Sequence, residues 1–200
     1  MKDLVALVAD VQMEAALKKI LLRERDLGIA KLTFDIYVHG QRDPGVFGKC
    51  HEFLRPFQRQ YRFALVLFDR DGCGAHKPAA EIQKIVTQRL DKSGWQHRSH
   101  VIVIDPELEI WAWAGSPFVA QALGLSDDQL NQVLTRYNRD ANNKPHDPKK
   151  AMEDALRKAR RPRSAAIYAE LAARAPFQSC EDHAFVELQS TLFDWFGKKE

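Results

Sequence analysis

The sequence predicts an α/β fold: a four-stranded parallel, Rossmann-like sheet flanked by helices, followed by a helical C-terminal extension. Three observations predict it. Short apolar runs alternate with segments of helical periodicity through roughly the first 115 residues. Three of those runs are continuously apolar rather than alternating, which is how strands buried on both faces of a parallel sheet read. From Pro117 onward no strand-like run occurs.

Leu4 to Ala9 (LVALVA) is the first strand, closed by Asp10, after which Met13, Leu17, Ile20 and Leu21 recur at helical spacing. Leu32 to Val38 (LTFDIYV), β-branched and aromatic, is the second strand, and a turn at Asp43-Pro44-Gly45 leads to a helix carrying Phe47, Phe53 and Leu54. Arg62 to Phe68 (RFALVLF) is the third strand. Glu81 to Leu90 is helical, Ser93-Gly94 breaks it, and Val101 to Ile104 (VIVI) is the fourth strand. Right-handed crossovers are the default for such repetition, giving a doubly wound unit over residues 1–115.

The extension, 116–200, reads as helices. Ser126 caps one containing Leu130, Val133 and Leu134. A polar loop, Asp140 to Pro148, precedes helices over Lys149 to Arg160, Ser164 to Ala173 and Cys180 to Phe196. In the last, Phe185, Leu188, Leu192 and Trp195 form a core-facing stripe. At 200 residues, 45% of them hydrophobic, the chain suffices for one sizeable core and is short for two, so 1–200 is expected to form a single domain.

Composition narrows the function classes. No apolar run approaches the ~20 residues of a membrane span. Asp3, Asp10 and Glu14 interrupt the first apolar stretch, which reads as a strand entering a helix and not as a signal peptide. Cys50, Cys73 and Cys180 are sparse, odd in number and without a CxxC, which fits a reducing compartment and gives no zinc site. A cytoplasmic protein without a membrane partner is the expectation. The net charge of +3 permits nucleic-acid contact without selecting for it.

The strongest local signal is Phe68-Asp69-Arg70-Asp71-Gly72-Cys73-Gly74. In extended backbone Asp69 and Asp71 point the same way, at the strand end where open α/β sheets place ligands. Two adjacent carboxylates repel, and Mg²⁺ or Mn²⁺ would relieve that repulsion; an Asx-type turn is the alternative. After strand four, Asp105-Pro106-Glu107-Leu108-Glu109-Ile110-Trp111 brings acids to the same edge, either around a helix start with Asp105 as N-cap and Pro106 first, or along an extended face. Asp10 and Glu14 leave strand one, expected beside strand three; acids there also suit a helix dipole. His39, Arg42 and Asp43 leave strand two, as acid–base or phosphate-holding groups or as a locally satisfied turn. Lys144 to Arg163 is basic, and within it Arg157, Arg160 and Arg161 are candidates for nucleic-acid contact, against a merely solvated face.

The acid near the end of strand one and the DxD-Gly turn after strand three resemble a TOPRIM-type domain over roughly residues 4–115. PELEIWAWA is similar to the Pro-x-x-Glu-x-Trp segment of RloB-like relatives, and the whole chain resembles a small component of methylation-associated anti-phage defence systems. The resemblance implies Mg²⁺ on Asp69 and Asp71, with Glu109 completing the acidic cluster. Ala9-Asp10 stands where TOPRIM domains have Glu-Gly, so Asp10 or Glu14 takes the general-base role or the site is without catalysis. Two functions follow: a Mg²⁺-dependent phosphodiester-cleaving or phosphoryl-transfer module acting on DNA or RNA, or a non-catalytic adaptor binding nucleic acid or other defence proteins.

Overall fold

The computed structural model describes residues 1–113, 118–141, 144–177 and 180–198. The boundary expected near 115–117, and Asn142 and Asn143 of the expected loop, lie outside them.

Four parallel strands form one sheet in the order β2-β1-β3-β4: β1 Lys2–Val8, β2 Phe34–Val38, β3 Tyr61–Asp69 and β4 Ser99–Ile104. The continuously apolar runs became the covered strands. Leu4 to Val8 and Ala64 to Phe68 have no exposed surface. Burying each such Leu or Val contributes about 1.5–3 kcal/mol, which sets the register firmly. The edge strand β2 is only half-buried, in keeping with its mixed composition.

Helix α1 (Val11–Leu21) follows β1, and the short α2 (Glu24–Leu27) ends in Gly28, whose left-handed φ of 68° turns the chain toward β2. Helices α3 (Arg42–Leu54) and α4 (Ala79–Leu90) are the next two crossovers and pack against each other. The turn expected at Asp43-Pro44-Gly45 is instead the first turn of α3. Pro has no N–H to lose there and an acid suits the positive helix end, so the same residues serve a helix start. Gly45 is required: a Cβ would sit 2.2 Å from His39 Nδ1, so only a bare backbone lets α3 close over the end of β2.

The extension is helical, with α5 (Val119–Leu123), α6 (Asp127–Leu134), α7 (Pro148–Lys158), α8 (Ala165–Arg174) and α9 (His183–Phe196). Ser126 forms the expected cap as a full capping box with Gln129. Helix α8 pairs with α1, α9 lies against β4, and the buried residues of both halves join one hydrophobic cluster. Gln83 reaches the Val101 carbonyl (2.8 Å) and Glu187 (2.5 Å), while His100 meets Glu187 at 2.8 Å, so side chains close the outer edge of β4. Among the described residues no helix is long and apolar enough to cross a membrane.

The stripe of α9 differs from expectation at its end. Phe185, Leu188, Leu192 and Phe196 are buried, but Trp195 is half-buried and stacks on Phe63 at 4.6 Å. Helix α9 there crosses the entrance of β3, where Phe63 is itself partly open, and Trp195 covers it from the solvent side.

The packing of α9 is testable. Leu188 has no exposed surface, and Leu188→Ala should lower unfolding free energy by about 2–5 kcal/mol. Phe193 is 54% exposed on the same helix, and Phe193→Ala should stay within about 0.5 kcal/mol of the wild type. Urea melts of the two variants check both values; equal effects would mean that α9 is peripheral to the core.

Candidate functional site

The order β2-β1-β3-β4 reverses direction beside β1, so the crevice between the carboxyl ends of β1 and β3 is the topological switch point. Three acids enter it from three elements. Asp10 follows β1 and caps α1, accepting from the Met13 N–H at 2.8 Å. Asp43 lies in the first turn of α3 and accepts from the Asp69 N–H at 2.9 Å. Asp69 ends β3 opposite Ile104 and accepts from the Leu108 N–H at 2.9 Å.

These acids bear on one another. Burial first, then the charges of Asp43, Glu109, Asp10 and Glu107, raise the Asp69 carboxyl well above the ordinary carboxylate range. Asp69 is half-buried at the end of its strand. Burial also raises Asp43; the Asp69 N–H offsets part of this, while Asp10 adds to it.

Past β4 the chain stays alongside β3 for two more residues, with Arg70 N–H donating to Ile104 O (2.8 Å) and Asp71 N–H to Pro106 O (3.1 Å). Neither alternative for this segment holds throughout: Asp105 and Pro106, joined by a cis bond, lie in a bend, Glu107 is extended, and helical turns begin only at Leu108–Trp111, in a 3₁₀ segment. Glu109 is thereby driven inward, to 1% exposure. Its Oε1 accepts from Tyr168 Oη (2.6 Å) and Arg163 Nη2 (2.7 Å), and Arg163 Nε donates to Tyr168 at 2.6 Å. Glu109 Oε2 is buried without a hydrogen-bond partner. Lys149, at the start of α7, pairs with Glu107 at 3.2 Å.

The expected residues thus divide. Asp69, Asp10 and Glu109 share one electrostatic neighbourhood. Asp71 contacts Arg70 instead (3.1 Å) and is half-exposed, and Arg70 also holds Asp105 at 2.9 Å. The strand stops at Asp69 and turns through Gly72 (φ 93°), so the same-face rule of extended backbone no longer applies at Asp71. Glu14 stands within the first turn of α1, and Asp10 is the acid of this pair that bears on Asp69.

The basic run is largely consumed. Arg157 pairs with Asp154 (2.8 Å), Arg161 donates to the Ala122 carbonyl (2.8 Å), and Lys158 meets Gln132 (2.7 Å). Arg160 is exposed with a left-handed φ of 54°, at the end of α7. Sequence reasoning brought Glu107 to this edge only in the extended alternative, weighed a site role for Asp43 against a locally satisfied turn, and missed Lys149, Arg163 and Tyr168 as members of the site. Asp43 had a visible signal, its position at the exit of a strand. The two cations had none apart from the run containing them.

Among the described residues no group of three or more His, Cys, Asp and Glu side chains is arranged to hold a metal ion. The trio Asp69, Asp71 and Glu109 forms no such group; Asp71 is paired with Arg70 and Glu109 with Arg163. Asp69 with Asp43 remains, and Mg²⁺ bound through one or two carboxylates with water completing its shell fits such a pair. Compared with protein-family models, curated proteins and solved structures, the chain shows no significant match. The TOPRIM resemblance therefore rests on the residues that carry it.

Two predictions follow from this geometry. Because the folded pKa of Asp69 lies above its ordinary value of 3.8, its contribution to stability is complete below that value and is lost as pH rises through the raised one. In chelator, Asp69→Asn should therefore melt at or above the wild type at pH 7–8 (about the operating range), with the gap closing on acidification. Parallel pH slopes in a thermal-shift series would show that Asp69 is not a repelled acid. Tyr168→Phe deletes one donor to a buried carboxylate and should cost about 1–3 kcal/mol in a denaturant titration.

Proposed function

We propose that the chain is a TOPRIM-like, Mg²⁺- or Mn²⁺-dependent phosphoryl-transfer module that cleaves phosphodiester bonds of DNA or RNA, working in the cytoplasm alongside other proteins of an anti-phage defence system. One observation carries the reading: a half-buried Asp69 opposed by Asp43, Glu109, Asp10 and Glu107 at the switch point of a parallel sheet. Proteins keep such repulsion where it serves a site. Asp69 and Asp43 are the residues that would hold the ion. A divalent cation bound there would supply positive charge beside the phosphoryl group being transferred.

The remaining roles belong to the chain. Asp10, fixed by its bond to the Met13 N–H, is the acid placed to take a proton from the attacking water. Glu109, locked by Arg163 and Tyr168, holds the wall of the site rigid rather than ligating. The pairing of Asp71 with Arg70 and of Glu109 with Arg163 favours a second reading, a non-catalytic adaptor that keeps the fold and binds partners.

Thermal melts with and without millimolar Mg²⁺ or Mn²⁺ separate the readings. A ligand that binds only the folded state raises the melting temperature, so the wild type should gain stability, Asp69→Asn should lose the gain, and Asp71→Asn should keep it. Cleavage of labelled DNA or RNA in the same samples supports the enzyme. A shift without turnover on either substrate favours the adaptor, and no shift at all in the wild type removes the metal site.

A further inference from the structure

The helical extension delivers two cations to the acid-lined switch point, and they are not equivalent. Arg163 is committed: Nη2 is on Glu109 and Nε on Tyr168, inside a network with a buried carboxylate. Lys149 is committed only in part. Its ammonium meets Glu107 at 3.2 Å, which uses one of three donors. Its side chain is 40% exposed against 16% for Glu107, so it forms the solvent side of that pair.

Lys149 also lies close enough for its charge to act on other groups of the site. Its charge acts on Asp43, one of the two acids that bracket the backbone at the end of β3, and on Glu109 and Arg163. Of the other cations of α7, Arg157 turns to Asp154 and Lys158 to Gln132. A phosphate brought toward Asp10, Asp43 and Asp69 meets carboxylates of its own sign. It needs a compact cation with unspent donors beside them, and lysine is suited to hold phosphate as a point charge.

We propose that Lys149 holds a phosphate group of the substrate at the carboxyl ends of β1 and β3, so that α7 completes the site begun by the sheet. The proposal rests on the phosphoryl-transfer reading and deepens it. It names the shared chemistry, a phosphate group, which a nucleic-acid strand or a free phosphate compound can supply.

The test uses the full chain in Mg²⁺ at low salt with two probes: a short fluorescein-labelled DNA duplex followed by anisotropy, and inorganic pyrophosphate followed by thermal shift. Lys149→Gln should weaken binding about tenfold or more, the loss of a charge-assisted contact of about 1.4 kcal/mol. Lys149→Arg should retain most of it. A Lys149-dependent loss on DNA identifies a strand as the source; a loss confined to pyrophosphate identifies a free phosphate compound. Glu107→Gln, which keeps the lysine and removes its partner, should bind at least as well as the wild type, and it guards against a folding defect in Lys149→Gln. Wild-type affinity of Lys149→Gln for both probes, or no binding of either probe by the wild type, overturns the proposal. In the first case, if the Mg²⁺ thermal shift survives in Lys149→Gln, the metal-site reading stands while the role of Lys149 falls.

Discussion

The arrangement depends on one constraint: β1 and β3 are buried on both faces, so their polar chemistry has to sit at their ends. Leu4 to Val8 and Ala64 to Phe68 have no exposed surface and so no room for a charged side chain along their length. Asp10 and Asp69 are the first acids the chain can place after those runs. The neighbouring strand order then sets them on either side of one crevice. Crowding of carboxylates there is a consequence of the sheet, and the Asp69 carboxyl is raised by its burial first and by the neighbouring acids second.

What stabilises that crowding comes from the second half of the chain. A buried carboxylate without a counter-charge is strongly destabilising. Glu109, at 1% exposure, is held by Arg163 and Tyr168, residues 54 and 59 positions away. The pairing of α1 with α8 carries Tyr168 to this place, and the start of α7 brings Lys149 to Glu107. The extension therefore acts as the electrostatic complement of the sheet as well as its cover.

The fold was legible because its evidence is local and repeated. Runs such as LVALVA and RFALVLF show double-sided burial in their own composition, and all four strands fell within a few residues of their expected places. The site was legible only where it lies on a strand end, as at Asp69 and Asp10. At Asp71 the rule for extended backbone was applied two residues beyond the end of the strand. At Asp105-Pro106 a helix start and an extended segment both stayed open in the sequence, and the bend found there is accompanied by hydrogen bonds from Arg70 and Asp71 that no local pattern announces. Lys149 and Arg163 belong to the site through tertiary contacts alone. In sequence they are two of many cations in a basic run, most of which pair elsewhere.

The long reach of the Glu109 network also orders events in time. A chain made from its amino end, as ribosomes make it, tends to fold in that direction. The strands and all the acids, through Glu109, emerge before Lys149, Arg163 and Tyr168 exist. Until α7 and α8 are synthesised, Glu109 has neither Arg163 nor Tyr168 to accept from, so the nascent protein carries the acids without the groups that hold Glu109. Those contacts are therefore among the last that can form, and a chain that stopped before Arg163 would have the sheet's acids but neither partner of Glu109.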